Sequence, residues 1–114
     1  MEHTERRVGD VLIVDLEGKV AFGTRGPTLL QIVGNLLDRG ERYILLNMAD
    51  VSYVDSGGLG DLVASVINVS KRNGQLKLLN LNDKHHDVLE MTHLIDLFRH
   101  FADETAAVNS FGTE

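Results

Sequence analysis

Cysteine is absent from this 114-residue sequence. Disulfides, thiolate metal sites and cysteine nucleophiles are therefore excluded. Proline occurs once and no stretch is repetitive or of low complexity, so nothing reads as a linker between domains. Basic residues are in the minority, eleven Lys and Arg against seventeen Asp and Glu, for a net charge of -6. That balance argues against a nucleic-acid binder, whose phosphate contacts need a basic surface. No apolar run approaches the roughly 18 residues of a membrane span. The opening residues Met1 to Arg7 lead into no apolar h-region of a signal peptide. The expectation is a cytoplasmic protein with no membrane and no nucleic-acid partner.

What is present suits an ordinary folded domain. Apolar residues make up 43% and charged residues 25%, enough for a core and too little charge for global disorder. The length suits one domain, expected over residues 1–114 with a core of about 8–111.

Val11 to Glu17 is rich in β-branched residues and is predicted as a strand. Gly9-Asp10 is a two-residue turn back to a short strand near Glu5–Val8. Gly18 is predicted to end the second strand. A helix is expected from about Arg25 to Arg39, because Leu29, Ile32, Val33 and Leu36 share one face. Thr24 is its candidate cap, Pro27 lies in its first turn and Gly40 stops it. Tyr43 to Leu46 is almost wholly apolar, as in a strand covered on both faces. After a loop, Leu59, Leu62, Val63, Val66 and Ile67 mark a second amphipathic helix ending at Asn73-Gly74. Leu76 to Leu81 is the next strand, and Val88, Met91, Leu94, Ile95 and Phe98 give a third helix. Arg99 to Ala102 is read as an edge strand and Thr105 to Phe111 as a closing helix. The predicted fold is α/β, a mixed and mostly parallel sheet of four to five strands with flanking helices.

The chemistry gathers between the third strand and the second helix, in Val51-Ser52-Tyr53-Val54-Asp55-Ser56-Gly57-Gly58-Leu59-Gly60. In open α/β sheets functional groups collect at the carboxyl ends of strands. Ser56 falls where the helix begins, so its hydroxyl is a candidate cap for the first turn. Three glycines in that turn each cost up to roughly 1 kcal/mol relative to Ala. A plain cap does not need them, and they would leave the hydroxyl open to another protein's active site. A phosphate on Ser56 would add about -1.5 to -2 charges. A helix N-terminus tolerates such charge.

Asp55-Ser56-Gly57-Gly58-Leu59-Gly60 resembles the Asp-Ser-x-Gly-Leu-Gly signature of STAS-domain anti-sigma-factor antagonists. Tyr43 to Asn47, Gly74 to Leu81 and Val88 to Leu94 resemble the strands and helix around that signature, over about Val8 to Phe111. The resemblance implies that Ser56 is the phosphoacceptor and that the domain is not an enzyme. It implies a partner-switching role. The unphosphorylated form binds an anti-sigma serine kinase of the histidine-kinase-like ATPase fold, and phosphorylation weakens that binding. A PP2C-type phosphatase reverses the modification. Asp55, Gly57, Gly58 and Asp61 are then the expected partner-binding residues. The sequence departs from the family at Gly18-Lys19-Val20-Ala21, where many members carry acidic residues near the phosphoacceptor. That departure keeps a second reading open, a phosphorylation-independent STAS scaffold or ligand-sensing module.

Three other patterns carry less. Ser56 lacks the Gly-x-Ser-x-Gly frame of a hydrolase elbow, since Val54 stands at the first glycine position. Gly57 to Gly60 forms neither a P-loop nor a dinucleotide motif. Asp83, His85, His86, Asp87, Glu90 and His93 read as a solvated helix start capped by Asp83, with His86 and Glu90 four apart but no metal-ligand spacing completed. No cofactor or metal is expected. Phe22 and Phe111 are candidates for a homodimer contact.

Overall fold

The computed structural model describes residues 1–112. The hairpin pairs β1 (Glu2–Val8) antiparallel to β2 (Val11–Val20), with Val8 opposite Val11 across the Gly9-Asp10 turn. The following strands, β3 (Tyr43–Val54), β4 (Gln75–Leu79) and β5 (His100–Phe101), are parallel to β2. The order across the sheet is β1-β2-β3-β4-β5. Helices α1 (Leu29–Asp38), α2 (Ser56–Lys71) and α3 (Asp83–Met91) make the crossovers, and α4 (Glu104–Ser110) follows the last strand.

Crossovers of one hand, each stepping the same way across the sheet, put their helices on the same face. The core shows this. Leu12, Val14, Ile44, Leu46 and Leu78 pack with Leu36 of α1, Leu62 of α2 and Leu89 of α3. Val11, Ile13, Leu45 and Leu79 point the other way and meet Ala107 of α4 and Phe111. The alternation along each strand therefore feeds two layers, which is why Tyr43 to Leu46 reads as continuously apolar.

The mixed, mostly parallel sheet agrees with the sequence expectation, but several boundaries move. β2 runs through Gly18 to Val20, because register shifts between Asp15 and Glu17 and again at Gly18 and Lys19 let the strand continue past the glycine. β3 is twelve residues long and takes in Val51 to Val54, where a loop was expected. α1 begins at Leu29, with Thr28 and not Thr24 as its cap. The Thr28 hydroxyl accepts from the Gln31 N–H at 3.1 Å while the Gln31 side chain accepts from the Thr28 N–H at 2.9 Å, a reciprocal pair that outcompetes the upstream threonine. Pro27 lies just outside the helix. α3 is capped by Asn82 instead of Asp83 and ends at Met91. Leu94, Ile95 and Phe98 leave it: His93 adopts a left-handed φ of 59° and a short 3₁₀ turn, Ile95–Leu97, follows. Phe111 is buried against Tyr43 with ring centres 5.7 Å apart, so it is core and not a dimer contact.

Candidate functional site

The site forms where β3 stops and α2 starts. The Asp55 N–H donates to the Val20 carbonyl at 3.2 Å, the last tie of β3 to β2, and the Asp55 backbone then turns into the helix. Its carboxylate accepts from the Gly58 N–H at 2.7 Å and from the Phe22 N–H at 3.1 Å. One carboxylate thus caps α2 and pins the loop after β2. These backbone donors, Gly58 first, hold the Asp55 carboxyl below its ordinary pKa.

The cap is therefore Asp55, and Ser56 is the first residue of the helix. Ser56 is exposed, and no hydrogen bond engages its hydroxyl among the described residues. The positive end of α2 already faces a carboxylate, so any phosphate on Ser56 would sit beside a like charge. The glycines do different jobs. Gly57 is exposed, and a Cβ there would lie 3.0 Å from the Phe22 Cβ. Gly58 is buried, and a Cβ would lie 1.7 Å from the Val20 carbonyl oxygen. Gly58 thus lets α2 press against the end of β2 and adds little to the outer surface. Gly60 is exposed with open space around it. Asp61 is half-buried, and its carboxylate accepts weakly from the Leu30 N–H at 3.4 Å, tying α2 to the first turn of α1.

Two exposed aromatic side chains belong to the segments that meet at this turn. Phe22 is 89% exposed although its backbone is held by Asp55, and Tyr53 is 53% exposed at the end of β3. Fixed, solvated aromatics are what binding surfaces use as anchors. The sequence signals Phe22 only as an isolated apolar residue, and Tyr53 looks like an ordinary strand residue, with no alternation past Asn47 to mark it as exposed. Lys19 is exposed on β2 and lies opposite Tyr53 in the register. The departure at Lys19 therefore falls on the same face.

Behind this loop, Met48, Tyr53, Val54, Leu59, His85 and Val88 help line an apolar cavity of about 330 Å³. His85 is buried there. Its Nδ1 accepts from the Asn82 N–H at 3.3 Å, and its Nε2–H donates to the Val51 carbonyl at 2.9 Å. Burial pushes its pKa below the usual histidine value. With both ring nitrogens committed to backbone, His85 cannot activate the Ser56 hydroxyl as a hydrolase base would. Among the described residues, no helix is long and apolar enough to cross a membrane.

The STAS domain family model matches residues 4–107. The chain is 24% identical over 98 residues to an anti-sigma F factor antagonist of Paenibacillus polymyxa, covering 86% of this chain and 84% of that protein. The crystal structure of an anti-sigma factor antagonist from Mycobacterium paratuberculosis superposes with a TM-score of 0.81 at 18% identity, over 96% of this chain and 92% of that one. The Bacillus cell fate determinant SpoIIAA in its phosphorylated form superposes with a TM-score of 0.68 at 19% identity, over 95% and 97%. At these identities the two superpositions establish the shared fold.

Proposed function

The chain belongs to the STAS domain family, and on that premise we propose that it is an anti-sigma-factor antagonist switched by phosphorylation of Ser56. Its partner is an anti-sigma serine kinase, and the protein acts by binding and not by catalysis. The observation that carries this reading is the state of Ser56: first residue of α2, exposed, with a hydroxyl unbonded among the described residues because Asp55 has taken the cap. An exposed hydroxyl on a turn held by the Asp55 carboxylate is suited to presentation in another protein's active site. The named relatives and the match to a phosphorylated SpoIIAA support the same reading.

In the unphosphorylated state the partner would close over Ser56, with Phe22 and Tyr53 as apolar anchors and Asp55 holding the turn. Phosphate in that interface would add charge next to Asp55 and would have to be desolvated, which opposes binding. A PP2C-type phosphatase would restore the free hydroxyl.

The test pairs phosphorylation with binding. The full chain is incubated with ATP and each candidate anti-sigma kinase of the same cell and its intact mass is read, with Ser56→Ala as control. One added phosphate, absent in the control, is expected. Ser56→Ala should then bind the kinase as the wild type does, and Ser56→Asp about tenfold or more weakly. Equal affinity of all three would refute the switch. The exposed Lys19 beside Tyr53 favours the second reading, a phosphorylation-independent scaffold, if no kinase active on its known substrate modifies the chain.

A further inference from the structure

We propose that the outer face of α3, together with His100 of β5, is a binding site for a divalent transition metal, zinc by the chemistry of its donors. Three side chains of α3, His86, Asp87 and Glu90, each place one ligand atom within 4.8 Å of the others. His86 Nδ1 stands 3.7 Å from Glu90 Oε1. The spacing has a simple origin, since residues four apart on a helix lie one turn above each other.

A helix alone would supply only these three. The fold adds a fourth group that the sequence spacing does not reveal. β5 pairs with β4 at the edge of the sheet and brings His100 beside α3, its ring centre 5.7 Å from that of His86 and tilted by 77°. Two imidazoles bound to one zinc at about 2.0–2.1 Å in tetrahedral geometry hold their ring centres roughly 5.2–5.5 Å apart. The observed separation is close to that value, and the remaining adjustment is a rotation of exposed side chains.

Charge points the same way. Among the described residues, neither Asp87 nor Glu90 has a Lys or Arg partner, and the ion-pair partner of Glu90 is His86. Two uncompensated carboxylates beside two imidazoles make a cation-attracting patch. Two nitrogen and two oxygen donors select zinc, nickel or copper over magnesium and calcium, which prefer oxygen alone. Glu90 lies in the last turn of α3, where the helix dipole favours positive charge. A bound ion would tie α3 to the edge strand across the intervening 3₁₀ turn. This site shares no residue with the Ser56 surface.

The experiment uses the untagged full chain, stripped with EDTA and titrated with zinc chloride by calorimetry at neutral pH. One equivalent should bind with a Kd on the order of 10 µM or tighter, and saturating zinc should raise the melting temperature by several degrees. Cobalt substitution should give the intense visible absorption of a tetrahedral site. His86→Ala, His100→Ala and Glu90→Gln should each weaken binding about tenfold or more with unchanged far-UV circular dichroism, while Ser56→Ala binds as the wild type does. No saturable binding up to about 1 mM zinc, or stoichiometric binding that survives both histidine variants, would overturn the site. Loss with His86→Ala but not His100→Ala would overturn the link between α3 and β5.

Discussion

Replacing Gly58 by alanine and doing the same at Gly60 should move stability in opposite directions, although the two positions lie in one helix two residues apart. At Gly58 the new methyl would stand 1.7 Å from the Val20 carbonyl oxygen and 2.5 Å from its carbon. Even close C–H···O contacts keep carbon and oxygen about 3.3–3.6 Å apart, so the groups must separate by roughly 1.5 Å. The obstacle is backbone, and the same oxygen accepts the Asp55 N–H. Neither side can yield without loosening the junction of β2, β3 and α2. Overpacking of this kind costs about 3 kcal/mol or more, against a helix-propensity gain of at most about 1 kcal/mol. The melting temperature of Gly58→Ala should fall by about 10 °C. At Gly60 nothing lies within 4 Å of the added carbon. Only the propensity gain of up to about 1 kcal/mol remains there, a rise of a few degrees. Thermal and urea unfolding of the full chain followed by circular dichroism reads both. Equal changes in the two variants, or a Gly58→Ala protein as stable as the wild type, would show that the close approach of α2 to β2 is not what fixes the turn.

Stability should also depend on pH through His85. Its folded pKa lies below the ordinary 6.5, so its contribution is fully present above 6.5 and is lost as pH falls through that value towards the folded pKa. Urea midpoints measured from pH 7.5 to 5 should show a smaller acid loss in His85→Gln than in the wild type; identical slopes would exclude His85 as the source. Asp55 acts in the same sense at lower pH: its depressed carboxyl stabilises the fold above about 3.8 and loses that contribution in acid. Asp55→Asn should flatten the acid limb of the same curve. Arg6 bridges Asp15 at 2.6 Å and Glu104 at 2.7 Å, yet its side chain is 42% exposed. Arg6→Ala should therefore cost no more than about 1 kcal/mol, and less in high salt. Phe22→Ala should leave the melting temperature nearly unchanged because the ring is solvated, while lowering partner affinity about tenfold or more in a binding titration. Unaltered affinity would remove Phe22 from the docking surface.

The succession of elements was legible because each rests on local pattern. Leu29, Ile32, Val33 and Leu36 announce α1, and Tyr43 to Leu46 announce a strand covered twice. The boundaries were not legible where a partner decides them. Val51 to Val54 contain two polar-facing positions and follow Ala49-Asp50, so they read as a loop, but pairing with the far end of β2 keeps them extended. The choice of Thr28 over Thr24 depends on Gln31 reaching back, a contact between side chain and backbone that composition does not reveal. At the site, Ser56 and Asp55 were visible as residues, but the cap expected of Ser56 falls to Asp55, since its identity is set by which side chain faces the Gly58 N–H. The burial of Gly58 under Val20 and the meeting of His86 with His100 involve chain segments far apart in sequence. Neither leaves a local trace.

The strand order β1-β2-β3-β4-β5 has a kinetic consequence. Every strand lies beside its neighbour in sequence, so no pairing must wait for a later segment to thread between two earlier ones. The hairpin can close locally, and each successive strand with its crossover helix then adds to an existing edge. Mixed α/β topologies fall between helical bundles and all-β sandwiches in folding rate. The chain can therefore reach its final pairing progressively from the amino-terminal end during synthesis, exposing at each stage a single growing edge.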